Sequence, residues 1–287
     1  MEAGRKRGLP TESGPPTYVR RQGFGGGSAD LKPEGTVRYV GLLSLLATLA
    51  VGITVGVRLL QLGLRGRRSP ELAVGLGLLC LTALGLPISA VGRLPMLVGT
   101  ALGSFVLGLG LVITGLGIWL LYVFTWRVFR PHALAIRALI VSLAVGIGLV
   151  IGGFLKADGQ GETLAEILPH TRPWACAIVV LVVGAFGWTG AESLHYHRLQ
   201  RRRLALGLAD PVVANRFLLW AVGGLATAFL CLAIVGYLLA GMVVLRDPLP
   251  LFTIAIACAV MSASWCLAFF PPRSYLDFVR ERAGAQA

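Results

Sequence analysis

The sequence predicts an all-α, polytopic membrane bundle of about seven transmembrane helices, with the N-terminus outside and the C-terminus in the cytoplasm. Three observations carry this. Hydrophobic residues make up 56% of the 287 and charged residues only 14%, against about 45–50% and 25% in ordinary globular chains. Mean hydropathy is +0.78. Seven apolar runs of about 20 residues or more follow one another, each long enough to cross roughly 30 Å of hydrocarbon. They leave short loops and two tails. A secreted disulfide scaffold, a largely disordered chain and a water-soluble enzyme are excluded on this composition.

Residues 1–38 read as a disordered N-terminal tail, rich in Gly, Pro and charge and without an apolar period. The first apolar run begins only at Tyr39, too late and too long for a signal peptide. The runs fall near 39–62, 72–91, 96–125, 135–155, 174–194, 212–244 and 249–270, so residues 39–271 form the membrane domain. Pro87 inside the second run predicts a kink. Arg130-Pro131 separates the third run from the fourth. Asp210-Pro211 pairs an N-cap residue with Pro at the first helical position and opens the sixth. Pro248 and Pro250 open the seventh, and Pro271-Pro272 ends it. Trp119, Tyr122, Trp126, Trp174 and Trp220 stand near run ends, as interfacial belts require. Gly52/Gly56, Gly99/Gly103 and Gly148/Gly152 have the small-xxx-small spacing that lets membrane helices approach closely. Residues 272–287 contain an approximate capping box, Ser274 and Asp277, and an apolar side of Tyr275, Leu276, Phe278 and Val279. They read as a short amphipathic cytoplasmic helix.

The net charge is +13 and only three of the 26 basic residues are lysine. The charges sit between apolar runs and form no aromatic-interleaved groove, so topology accounts for them better than nucleic acid does. Fourteen arginines lie in the loops after the first, third and fifth runs and in the C-terminal tail. Four basic residues, Arg93, Lys156, Arg172 and Arg246, occupy the alternate loops. By the positive-inside rule the arginine-rich side is cytoplasmic. The densest cluster follows the fifth run: Arg198, Arg201, Arg202 and Arg203, with Arg216 one turn into the sixth. We single out these five as a contact surface for anionic lipid or a cytoplasmic protein. The fifth helix should continue past the membrane through Arg203, stop at Gly207 and hand over at once to the sixth.

Catalytic chemistry finds no foothold. Serine-nucleophile, metalloprotease and P-loop motifs are absent, and mid-membrane carboxylates and lysines are lacking, which disfavours proton-coupled transport and excludes a retinal Schiff base. Glu192 and His195 have the i, i+3 spacing of di-iron bundles, but only one such motif occurs, so Glu192 reads as interfacial and His195 and His197 as solvated. No cofactor and no metal is expected. The five cysteines form no CxxC pair and read as packing residues.

Three stretches, YVFTWRVFRP at 122–131, GLADPVVANRFLLW at 207–220 and LAFFPPRSYLDF at 267–278, resemble those of uncharacterised bacterial seven-helix membrane proteins. The resemblance covers residues 39–280 and extends to the membrane sensor regions of signalling proteins. It implies a sensor or signalling module of the bacterial inner membrane, working through a separate cytoplasmic partner. A transporter subunit or small-solute channel is the alternative.

Overall fold

The computed structural model describes residues 33–67, 69–161, 163–242, 244 and 247–284. These belong to the unit Pro33–Ala287. The expected disordered tail lies outside the described residues up to position 32, while residues 33–38 open the first helix. The described chain is all-helical without strands, and seven of its helical segments are long and apolar enough to cross a membrane. It is an integral membrane protein of the multi-pass kind.

In chain order the spans are α1 (Pro33–Gly66); a second span built of α2 (Ser69–Leu79), a π-helical stretch Cys80–Gly85 and α3 (Leu86–Gly92); α4 (Ala101–Phe129); α5 (Leu134–Asp158); α6 (Leu164–Leu204); α7 (Pro211–Leu239); and α8 (Pro248–Phe269). A short α9 (Arg273–Gly284) follows. Consecutive spans pack side by side and α8 closes back onto α1, so the seven form a ring. Helix α4 also packs on α6. Half of α4's most apolar window is buried, against 17% of α5's. Mean hydropathy gives the opposite order, 2.2 for α4 and 2.5 for α5. In lipid the outward face is as apolar as the inward one, so composition does not rank helices by depth.

The kink expected at Pro87 takes a specific form. Proline has no N–H and its ring crowds the carbonyl four residues back. Here the chain widens to a π-helical stretch just before it, with the Leu86 N–H bonded to the Leu81 carbonyl five residues earlier. Prolines also moved another boundary. The fifth span starts at Leu164 and runs through Pro169 and Pro173, ten residues ahead of the expected start. Isolated prolines are tolerated in such helices because neighbours re-satisfy the freed groups. The sixth span is shorter than its apolar run and ends at Leu239. Gly241 at φ +75° then turns the chain, with the Met242 N–H reaching the Tyr237 carbonyl at 2.9 Å.

The glycine pairs divide. Gly52 and Gly56 lie against Thr82, Leu79 and Gly75, and a β-carbon on Gly75 would come within 2.7 Å of the Leu60 backbone nitrogen. This is a close α1–α2 crossing. Gly103 lies against the Leu97 carbonyl in a local turn, and Gly148 and Gly152 face open space. These two pairs are not interhelical contacts. The tight α6–α7 crossing instead uses Gly190 and Gly224, where a β-carbon on Gly224 would lie 3.2 Å from the Gly190 Cα.

Candidate functional site

The arginine-rich end is assembled from the ends of α6 and α7 and from α9. Helix α6 runs unbroken for 41 residues, about 62 Å at 1.5 Å per residue, roughly twice the hydrocarbon thickness. Its stop is the expected one. Gly207 sits at φ +68°, the Leu208 N–H bonds the Arg203 carbonyl and the Gly207 N–H bonds the Leu204 carbonyl, both at 2.9 Å. That pattern satisfies the last carbonyls of the helix. Asp210 then caps α7 by accepting the Val212 N–H at 2.8 Å.

Two further bonds tie this corner together. His197 Nδ1 lies 2.8 Å from the Ala214 carbonyl oxygen, linking α6 to α7. Asn215 Nδ2 donates to the Tyr275 hydroxyl at 2.7 Å, linking α7 to α9. Between the three helices is a cavity of about 320 Å3, with Arg201, His197, Asn215 and Arg282 on its polar side and Leu218, Phe278 and Val279 among its apolar lining. The five singled-out arginines are therefore separated. Arg201 lines this cavity, while Arg198, Arg202 and Arg203 are exposed. Arg216 lies elsewhere, at the mouth of a second opening.

That second opening is a vestibule of about 370 Å3 inside the ring, at the same end. Glu71 and Arg216 stand on its lining, with Leu59, Phe124, Phe129 and Trp220 among its apolar residues. It shares Val74, Phe124 and Trp220 with a smaller inner pocket of about 30 Å3 that reaches Phe186, Thr189 and Trp265. Among the described residues the α4 and α7 backbones make no direct contact. Aromatic rings bridge the gap: Phe124 on Trp220 with centroids 5.3 Å apart, Trp220 on Phe269 at 5.5 Å, and Phe186 stacked on Trp265 at 6.2 Å. Such contacts add about 0.5–1.5 kcal/mol each beyond area burial. The series continues through Tyr196, which packs on Phe129 and Phe217.

Sequence reasoning placed Glu192 at the interface beside solvated histidines. The structure corrects this. Glu192 is 8% exposed, and its Oε1 accepts the Arg130 Nε–H at 3.0 Å and the Trp188 indole N–H at 3.3 Å. Its Oε2 is buried with no hydrogen-bond partner. The reason is that α6 runs twelve residues past Glu192, so this position faces α4 and not water. His195 is exposed and lies edge-on to Tyr196, so the i, i+3 pair does not share one environment. One turn deeper, the Thr125 and Thr189 hydroxyls are 2.6 Å apart.

A second buried carboxylate escaped notice altogether. Asp158, the last residue of α5, is 7% exposed, with its Oδ1 2.6 Å from Arg93 Nη1 at the opposite end of the bundle. The signal for it was a carboxylate and a basic residue in loops on the same side, but they are far apart in sequence. Arg58, expected to snorkel, places its guanidinium 4.5 Å above the Phe270 ring. Among the described residues no three His, Cys, Asp or Glu side chains gather as metal ligands, and the five cysteines are free thiols. No known protein family, curated protein or solved structure matches this chain.

Proposed function

We propose that the protein is a membrane sensor or signalling module of a bacterial inner membrane, with its arginine-rich end in the cytoplasm and a separate cytoplasmic partner. The observation that supports this is α6. One uninterrupted helix links the far end of the bundle to the arginine run and is capped there, then joined by a short turn to α7. A displacement in the ring moves that corner, because a helix of this length transmits motion as a rigid element. The exposed arginines Arg198, Arg202 and Arg203 then present charge to an acidic partner surface. The resemblance to membrane sensor regions agrees with this reading.

The test is replacement of Arg201, Arg202 and Arg203 by Gln in the full chain, with a reporter fused after Ala287. The reporter should remain active in the cytoplasm, while capture of the cytoplasmic partner by crosslinking falls at least ten-fold. A reporter active only outside, or capture unchanged by the triple substitution, overturns the reading.

The vestibule favours a second reading. An opening at one end of the ring that narrows to an aromatic constriction is what a transporter subunit or solute channel would present. Trp220→Ala widens that constriction. Solute flux in proteoliposomes that rises several-fold in this variant would favour transport over signalling.

A further inference from the structure

We infer that the cavity between α6, α7 and α9 is a headgroup site for an anionic phospholipid. The inference goes beyond the sensor reading and does not depend on it, since a bundle of either function holds this corner at the same end. The chemistry begins with charge. Arg201 and Arg282 both line the cavity, and His197, Asn215 and Tyr275 complete its polar side, with no carboxylate among the described lining residues. Arginine offers a planar set of N–H donors that matches phosphate oxygens. The two arginines come from different helices, α6 and α9, so a phosphate between them would be held from two sides.

The polar groups are held in place. His197 is fixed by the Ala214 carbonyl and Asn215 by the Tyr275 hydroxyl. With Nδ1 donating to that carbonyl, the ring leaves Nε2 for a second partner. The rest of the lining is apolar: Leu204, Pro211, Leu218, Phe278 and Val279. A ligand with a phosphate and glycerol at one end and acyl chains at the other satisfies both sides. A volume of about 320 Å3 falls in the range of small-molecule sites. Basic pockets between membrane helices at the cytoplasmic face are where anionic headgroups bind. The exposed arginines of the same run lie outside the cavity, and this separates a defined site from diffuse attraction.

The experiment uses full-length protein in detergent and in nanodiscs, with native mass spectrometry counting bound lipid. Phosphatidylglycerol or cardiolipin should be retained over phosphatidylcholine by wild-type protein. Arg201→Gln with Arg282→Gln should lower that retention roughly thirty-fold, at about ten-fold or slightly less per arginine near an anionic surface. Arg202→Gln with Arg203→Gln, equal in charge removed, should lower it less than three-fold. Equal losses in the two double variants overturn the site in favour of diffuse attraction. Inorganic phosphate separates the sources. Competition only at tens of millimolar supports a lipid headgroup, whereas micromolar binding of phosphate without lipid preference overturns it. Should the Arg201/Arg282 variant fail to fold, the wild-type comparison of lipids decides: equal retention of phosphatidylcholine overturns the proposal.

Discussion

Two buried carboxylates, one at each end of the bundle, are each met by one arginine, yet they are held differently. Asp158 is the last residue of α5, with Arg93 Nη1 at 2.6 Å and the Ser104 hydroxyl 3.5 Å from its other oxygen. Glu192 is interior to α6, locked between Arg130 and Trp188. The Arg93 side chain is 23% exposed and the Arg130 side chain 53%. By arginine burial alone the Asp158 pair is the tighter. The carboxylates point the other way, because a helix-terminal Asp can turn toward water if its partner is lost, whereas Glu192 has twelve helical residues beyond it and no such exit. What decides the energetic weight of a buried pair is how far the less mobile partner can relax.

The largest expected effect is therefore at Glu192. Arg130→Gln should destabilise the protein by about 3 kcal/mol, since it strands a buried carboxylate. Arg130→Met combined with Glu192→Leu should recover most of the loss, because removing both partners removes the stranded charge. Thermal melting in detergent, followed by Trp fluorescence, measures both. At the other end, Arg93→Gln should cost about 1 kcal/mol, as Asp158 swings out. Equal losses for Arg93→Gln and Arg130→Gln would show that relaxation at the helix end does not operate. The smallest effect is expected at α9. Tyr275→Phe removes the bond from Asn215, costing about 0.5 kcal/mol. It should raise the rate of tryptic cleavage after Arg273 two- to three-fold without moving the melting temperature. A drop in melting temperature would mean that α9 is part of the cooperative bundle.

Which parts of this were readable in the residues follows from what each depends on. The seven spans were, because crossing hydrocarbon needs a contiguous apolar run and nothing else. The stop at Gly207 and the start at Asp210-Pro211 were, because caps are local chemistry. The start of the fifth span was misplaced because Pro169 and Pro173 read as breakers, while in the structure the helix continues through both. Arg130 was counted as a topology charge, and nothing local to it announces Glu192, 62 positions away. The same holds for Arg216. It stands a single turn from the α7 cap, but its side chain lines the vestibule while Asn215 beside it lines the other cavity. Successive helical residues point about 100° apart, so sequence neighbours serve different sites. The ranking of α4 over α5 also lay beyond reach, since depth in a ring depends on partners and not on hydropathy.

The π-helical stretch at Cys80–Gly85 has a consequence for how this chain tolerates change in length. A π-turn is in effect an α-helix carrying one surplus residue. Excising one residue there, Ala83 for example, would let the span regularise. Its hydrogen bonding would survive, but everything from Leu86 to Gly92 would rotate by about 100°. Ser89, now so close to Gly110 that a β-carbon there would overlap it, would swing off that contact. Arg93 would leave Asp158 with it. One supernumerary residue thus sets the phase of the span's far half, and a deletion that leaves composition and hydropathy almost untouched would undo an ion pair about ten positions downstream.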